Sequence, residues 1–286
     1  MIQDKRILVT GGTGFIGSHI IKQLCANNQV YCLTRNPPPE FQMVKCIKGD
    51  LRDFQAIRLP HDIDMVIHLA GVLGSDAIKD VSGSYQVNVC ATVDLLRYAL
   101  DTSAELFVFA STGGVYGYQN EPVNETFPKR NPVDLYASQK VIAENWVMAF
   151  GQDMPVLIPR YFFPYGVGQT GRFIPNLIER IRKGEPIFVE DRRINPIYIE
   201  DAVALTLALA ERKETGTFNI AGPDVVRIRE VAEAVAAMLT LEVDIRDSSS
   251  DLQGDMVGDI QKAIERTGYD SFMPFSEGLR KVVEGV

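Results

Sequence analysis

The sequence predicts an α/β fold, a doubly wound parallel sheet with a small C-terminal lobe. Three observations lead there. Short β-branched runs alternate with longer helical patterns through the first half. The short runs are apolar at nearly every position instead of every second one. A glycine-rich turn joins the first run to the first helix. Strands that helices cover on both faces read as continuous apolar runs. Strand–helix alternation with short connections closes into a doubly wound sheet.

The elements follow in order. "RILVT" at 6–10 reads as a strand, and a helix follows over about 14–26. "VYCLT" at 30–34 is a second strand, and "MVKCIKGD" ends a third near Ile47. "MVIHLA" at 65–70 is a fourth, before a long helix across 85–100. "LFVFAS" at 106–111 is a fifth, before a helix over 136–150, and "MPVLIPR" at 154–160 is a sixth. The second half is less regular. Helices read over 173–184, 199–212 and the stretch "VRIREVAEAVAAML", with "TFNIAG" as a short strand. The acids that open the 199–212 helix and the base that closes it suit the helix dipole. "NPPPE" at 36–40 and "RDSSSD" at 246–251 read as loops.

The bulk numbers narrow the class. A chain of 286 residues suits one large domain or a domain with a smaller lobe. A net charge of −8 argues against nucleic acid as the main partner. Cys25, Cys32, Cys46 and Cys90 form no CxxC pair and have no histidine at metal-ligand spacing. They read as reduced thiols in or near the core, with no metal site. "MIQDKRILV" lacks the pattern of a signal peptide, and no run approaches the ~20 apolar residues of a membrane span. The expected location is the cytoplasm, without membrane contact.

"VTGGTGFIGSHIIKQL" at 9–24 holds Gly11, Gly12, Gly14 and Gly17 between a strand and a helix. In that context spaced glycines signal dinucleotide binding. Gly11 permits a tight turn, Gly14 lets the backbone approach a pyrophosphate, and Gly17 lets the helix pack on the strand. The helix N-terminus then offers free N–H groups to the phosphates. We therefore expect a dinucleotide-binding domain over 1–160 and a substrate lobe over 161–286, partly interleaved with it.

The GxxGxxG spacing resembles the opening of the extended short-chain dehydrogenase/reductase superfamily, its NAD-dependent epimerase/dehydratase group, which has a Rossmann-like fold. "KGDLRD", "HLAG", "QVNVCAT", "STGGVYG", "YASQK", "PRYFFPYG", "INPIYIEDAV" and "TFNIAG" resemble later landmarks of that group across most of the chain. The resemblance implies a cofactor site made of Gly11, Gly14, Phe15, Ile16, Gly17, Arg35, Asp50, Leu51, Leu69, Ala70, Gly71, Asn88, Tyr136, Lys140 and Phe162. Asp50 and Leu51 would lie beside the adenine. It also implies a homodimer formed through the helices at 85–100 and 136–150.

Tyr136 and Lys140 are four residues apart on one helix face. A tyrosine of pKa near 10 is a poor base at neutral pH, and an ammonium beside it would lower that value. Tyr136 could then take a proton from a substrate hydroxyl as hydride leaves, or return it. The resemblance implies that Lys140 also holds the ribose hydroxyls. It implies Thr112 as the third catalytic residue, with Ser111 the neighbouring candidate. His68 reads as structural, and Trp146 as core on the inner face of its helix. Arg192 and Arg193 read either as a surface pair or as an anion clamp.

Several positions depart from the group's pattern. The second strand ends in Thr34 and Arg35 with no carboxylate, which favours NADP(H) over NAD as the NAD(P) cofactor. Gly113 and Gly114 stand where the dehydratases carry an acidic pair, so dehydration is not expected. Phe163 stands where many sugar-nucleotide epimerases have asparagine, Ile194 (beside Arg193) where they have arginine, and Leu73 where some have lysine. The substrate-binding candidates are Thr112, Phe163, Arg172 and Arg193. The leading expectation is hydride transfer on a nucleotide sugar, as a 4-epimerase or 4-keto reductase. The alternatives are an NADPH-dependent reductase of a non-nucleotide ketone or aldehyde, and a non-catalytic NAD(P)-binding sensor or interaction protein.

Overall fold

The computed structural model describes residues 2–38, 41–129, 131–190, 192–248 and 254–285. The ends of the two predicted loops, at 39–40 and 249–251, lie outside the described residues.

The central sheet has the order β3-β2-β1-β4-β5-β7-β12, with every neighbouring pair parallel. Its strands are β1 (Arg6–Thr10), β2 (Gln29–Thr34), β3 (Lys45–Lys48), β4 (Met65–His68), β5 (Leu106–Phe109), β7 (Val156–Tyr161) and β12 (Gly216–Ile220). A two-residue strand, β6 (Ser111–Thr112), continues the line of β5 and pairs with β7. The apolar runs are explained by cover on both faces. Ile7 and Val9 face one core with α1 (Phe15–Leu24) and α7 (Ile199–Glu211). Leu8 faces the other with α4 (Ala91–Asp101) and α5 (Leu135–Phe150). All three strand residues are fully buried.

The predicted 85–100 helix differs in detail. It is assembled from α3 (Val81–Tyr85), a π-helical turn (Gln86–Cys90) and α4. A short helix, α2 (Gly74–Lys79), precedes it. A π turn inside a helix re-aims side chains, and here it carries Asn88.

After β7 the chain leaves the sheet, returns and leaves again. The lobe packs α6 (Phe173–Arg182), α8 (Ile228–Leu239) and α10 (Phe275–Glu284) around Tyr165, Leu177 and Val235. Short strands tie it together: β8 (Pro164–Tyr165) with β11 (Ile197–Tyr198), β9 (Ile187–Val189) with β14 (Ile245–Asp247), and β10 (Arg193–Ile194) with β13 (Val226–Arg227). In contrast, α7, β12 and α9 (Gln261–Thr267) add to the sheet layer, where Ala263 joins the same core as Val9.

One core expectation needs correction. Trp146 is 47% exposed, not core. The inward stripe of α5 is Ala137, Lys140, Ala143, Glu144 and Val147. Trp146 and Ile142, four apart, share the opposite, outward face. The apolar residues on both sides of α5 hide which side is inner.

Candidate active site

The strand order reverses between β1 and β4, so a crevice opens at their carboxyl ends. The glycine turn lies in that crevice. Gly11 has φ +70°, and a Cβ there would sit 2.6 Å from the Ala70 backbone nitrogen. A Cβ on Gly17 would sit 2.2 Å from the Gly11 carbonyl oxygen. Only glycine lets β1, the turn and α1 close up this far.

A cavity of 850 Å³ runs from this turn across the sheet edge into the lobe. Gly11, Gly14, Phe15, Ile16 and Gly17 line its start. Arg35, Asp50 and Leu51 line the side toward β2 and β3, and Leu69, Ala70 and Gly71 the exit of β4. Thr112, Tyr136, Phe163 and Arg172 line the far part.

Near β2, Arg52 grips Asp50 through Nε (3.1 Å) and a terminal nitrogen (2.6 Å) to Oδ2. That pairing, helped by the charge of Arg35, holds the Asp50 carboxyl below its ordinary value. Arg52 lines the cavity as well, a role the sequence reading missed although "DLRD" contains it.

At the far part, Thr112 Oγ accepts the Gly114 N–H at 3.2 Å, while Ser111 Oγ donates to Glu144 Oε1 at 2.5 Å. Both residues line the cavity, but the Ser111 hydroxyl is taken up by Glu144, so Thr112 is the better-placed hydroxyl for a ligand. Asp134 caps α5 by accepting the Ala137 N–H at 2.7 Å. This cap places Tyr136 in the first turn, against the cavity. Lys140 lies behind Tyr136 and is not part of the cavity wall. It is 1% exposed, with Nζ 4.3 Å from the Phe109 ring centroid and 5.7 Å from that of Tyr136.

The titration of this pair differs from the expectation. Burial pushes the Tyr136 phenol up, and Asp134 adds to the rise while Arg172 opposes it. Burial pushes Lys140 down to about 7, against the pull of Glu144. Desolvation disfavours phenolate and ammonium alike. Tyr136 thus holds its proton at neutral pH and is poised to donate it. Its use as a base calls for positive charge brought against it.

Three further expectations need correction. Phe162 points away from the cavity and is 1% exposed, stacked on Tyr116 at 6.2 Å between ring centroids. Its neighbour Tyr161 lines the cavity instead, as alternation along a strand dictates. Asn88 does not line the cavity either. Its amide bonds both the N–H (2.8 Å) and the C=O (2.9 Å) of Val72 and reaches Gln139 at 2.6 Å. It therefore shapes the loop after β4. Arg193 is held outside by Asp255, which takes its Nε at 2.7 Å and its backbone N–H at 2.7 Å.

Arg192 is buried, stacked 3.4 Å from the Tyr118 ring centroid and bonded to Glu190 and the Gly254 carbonyl. His68 is fully buried, its Nδ1 2.6 Å from Thr10 Oγ1 and its Nε2 3.0 Å from Thr92 Oγ1. Burial lowers its pKa well below the ordinary value, so it stays neutral.

The departures from the group's pattern have physical counterparts. A Cβ on Gly113 would meet the Phe162 ring at 2.5 Å, so no acidic side chain fits there. Phe163 lines the cavity with φ +44°, a backbone region that asparagine tolerates far better than phenylalanine. Met256, Gln169 and Phe173 complete this part of the wall and were not foreseen. Met256 arrives through a bridge to Ile194, more than sixty positions earlier, and carries no local signal.

Among the described residues, no cluster of His, Cys, Asp and Glu could hold a metal ion, and no helix is long and apolar enough to cross a membrane.

Fold and crevice together define a Rossmann-type α/β protein with a tyrosine–lysine site beside a dinucleotide-binding turn. The model of the NAD dependent epimerase/dehydratase family matches residues 7–221, and the chain belongs to that family. It is 28% identical to a dTDP-D-glucose 4,6-dehydratase of Mus musculus over 316 residues, which cover 98% of this chain and 88% of that protein. It is 29% identical to UDP-glucuronic acid decarboxylase 6 of Arabidopsis thaliana over 302 residues, 96% of this chain and 87% of that protein. The crystal structure of the Thermus thermophilus UDP-glucose 4-epimerase in complex with NAD superposes with a TM-score of 0.83 at 28% identity, covering 98% of each chain. Relatives of similar identity are named for different reactions, so the reaction has to be argued from residues.

Proposed function

We propose that this chain transfers hydride reversibly at a secondary alcohol or ketone of a nucleotide sugar, as a 4-epimerase or 4-keto reductase. One observation carries the reading: a single cavity joins the glycine turn to Thr112 and Tyr136. The cradle fits a nicotinamide dinucleotide: Gly11 and Gly17 leave no room for a Cβ against the neighbouring backbone, so α1 starts close against β1 and Gly11, Gly14, Phe15 and Ile16 line the cavity there. When bound, that cofactor supplies or accepts the hydride. Gly11, Gly14 and the start of α1 would hold its pyrophosphate, and Asp50 and Leu51 its adenine.

The chain's own residues do the rest. Tyr136 delivers its phenolic proton to the substrate oxygen in reduction and recovers it in oxidation. The Thr112 hydroxyl bonds the same oxygen and fixes its direction. Lys140, lowered by burial to about 7, is protonated in part at neutral pH, and its ammonium opposes the negative charge that develops on Tyr136. Arg172 brings a cation to the substrate side, near enough to act on Tyr136. The space closed at Gly113 speaks against dehydration.

Arg35 puts a guanidinium beside the β2 end of the cavity, where the charge of Arg52 is already met by Asp50, and this favours NADP(H) over NAD. A homodimer is supported by Tyr85, Ile142 and Trp146, apolar side chains exposed on α3 and α5. Sedimentation at micromolar concentration tests it, and a monomer there counts against it. Phe163, and an Arg193 locked to Asp255, favour a second reading, a reductase of a non-nucleotide ketone.

The test is to denature the purified protein and identify the nucleotide released. Retained NAD in most molecules supports an epimerase that recycles its hydride. An empty site that takes NADPH far more tightly than NADH supports a reductase. Binding of neither nucleotide rules the proposal out.

A further inference from the structure

A buried charge network lies directly behind the site. Glu144 is fully buried and sits one turn after Lys140 on the inward stripe of α5. Its Oε1 accepts from Ser111 Oγ (2.5 Å) and Arg160 Nε (2.9 Å). Its Oε2 accepts from an Arg160 terminal nitrogen (2.6 Å) and Lys129 Nζ (2.9 Å). Arg160 also donates to the Tyr116 hydroxyl at 2.5 Å, which donates to Asn219 at 2.8 Å.

The placement matters more than the number of bonds. Ser111 immediately precedes Thr112 in β6, and its register partner in β7 is Arg160. α5 carries Tyr136 and Lys140. One carboxylate therefore grips the strand that bears Thr112, the strand beside it and the helix that bears the other two residues. Stability alone does not account for this arrangement. Well-packed apolar residues of similar volume usually serve as well as a buried ion pair, or better.

We propose that Glu144 is a positioning residue for the Thr112–Tyr136–Lys140 site, a buried carboxylate one turn after Lys140 on α5 that ties β6, β7 and α5 together. The inference rests on the cofactor-binding reading above. The other groups around the pair are accounted for. His68 of β4 faces Lys140 and is neutral, Tyr136 holds its proton, and Asp134 and Arg172 act on Tyr136. Arg160, Lys129 and Ser111 surround the carboxylate itself. Burial alone would raise the Glu144 carboxyl, but these partners outweigh burial and hold it below its ordinary value, so it stays charged.

The experiment measures NAD affinity by titration calorimetry across about pH 6 to 9, the span in which a lysine lowered to near 7 loses its proton. Wild type, Glu144→Gln and Lys129→Met are compared, each with a thermal melt. Lys140 Cε lies 3.9 Å from where a Cβ on the cavity-lining Gly71 would sit, so its charge reaches the cavity, and affinity should fall as it deprotonates. Glu144→Gln should move that midpoint down by about one pH unit, and Glu144→Asp should restore it. Lys129→Met removes a partly exposed cation from the carboxylate and should move the midpoint up. It carries the test even where Glu144→Gln does not fold. A purely structural Glu144 lowers the melting temperature and leaves the midpoint in place, and that result overturns the proposal. A wild type that binds neither NAD nor NADPH at any pH removes the cofactor reading, and the proposal with it.

Discussion

The two ends of the cavity are built on different principles. At the glycine turn the contacts are backbone to backbone, within the turn itself and against the exit of β4. A Cβ on Gly17 would meet the Gly11 carbonyl at 2.2 Å, and one on Gly11 would meet Ala70. At the lobe end, side chains from distant segments meet: Thr112 from β6, Tyr136 from α5, Phe163 beside β8, Arg172 before α6 and Met256 near the end of the chain. The first end tolerates almost no change. The second can exchange side chains without moving the sheet, which is how one fold serves substrates of different shape.

The comparison can be broken most severely at Gly17. Gly17→Ala should abolish NAD(P) binding and destabilise the fold by on the order of 3 kcal/mol through overpacking. Calorimetry and denaturant unfolding check both. Retained binding would mean that the turn adapts and the rigid end is not rigid.

Tyr136→Phe should come next, with hydride transfer slowed about 100-fold or more while nucleotide affinity stays near wild type. Parallel loss of affinity would move Tyr136 from chemistry to binding.

Arg35→Ala should weaken NADPH about tenfold and NADH little, the effect of one charge-assisted hydrogen bond. Equal affinities in the wild type would show that Arg35 does not read the 2′-position.

Phe163→Asn should shift the KM for a UDP-sugar about fivefold and leave nucleotide affinity alone, since about 1 kcal/mol separates the two side chains in contact and backbone strain. A change in nucleotide affinity instead would mean that the two ends are coupled.

The smallest effect belongs to Arg193→Ala. Its partly exposed ion pair with Asp255 contributes within about 1 kcal/mol of stability, and KM should not move.

The same contrast explains what could be read from the sequence. The parallel strands were legible because burial on both faces leaves a continuous apolar run, as at Ile7, Leu8 and Val9. The turn was legible because its glycines are forced by local backbone geometry. Arg193 misled because its partner Asp255 lies 62 positions away. Asn88 misled because a π turn, not a regular helix, aims it at Val72. Trp146 misled because α5 is apolar on both sides, and the side that faces the sheet is chosen by Lys140 and Glu144, which a hydrophobic pattern counts as outward. Met256 could not be found because a single bridge to Ile194 brings it to the wall.

The most direct measurement is NADH fluorescence on adding UDP-glucose, UDP-galactose and UDP-glucuronic acid to NAD-loaded wild type and Tyr136→Phe. Transient or net NADH formation is expected in the wild type with at least one sugar, and none in Tyr136→Phe despite equal NAD binding. Equal NADH formation in both proteins, or none in the wild type with any of the sugars, would contradict hydride transfer through Tyr136 on a nucleotide sugar.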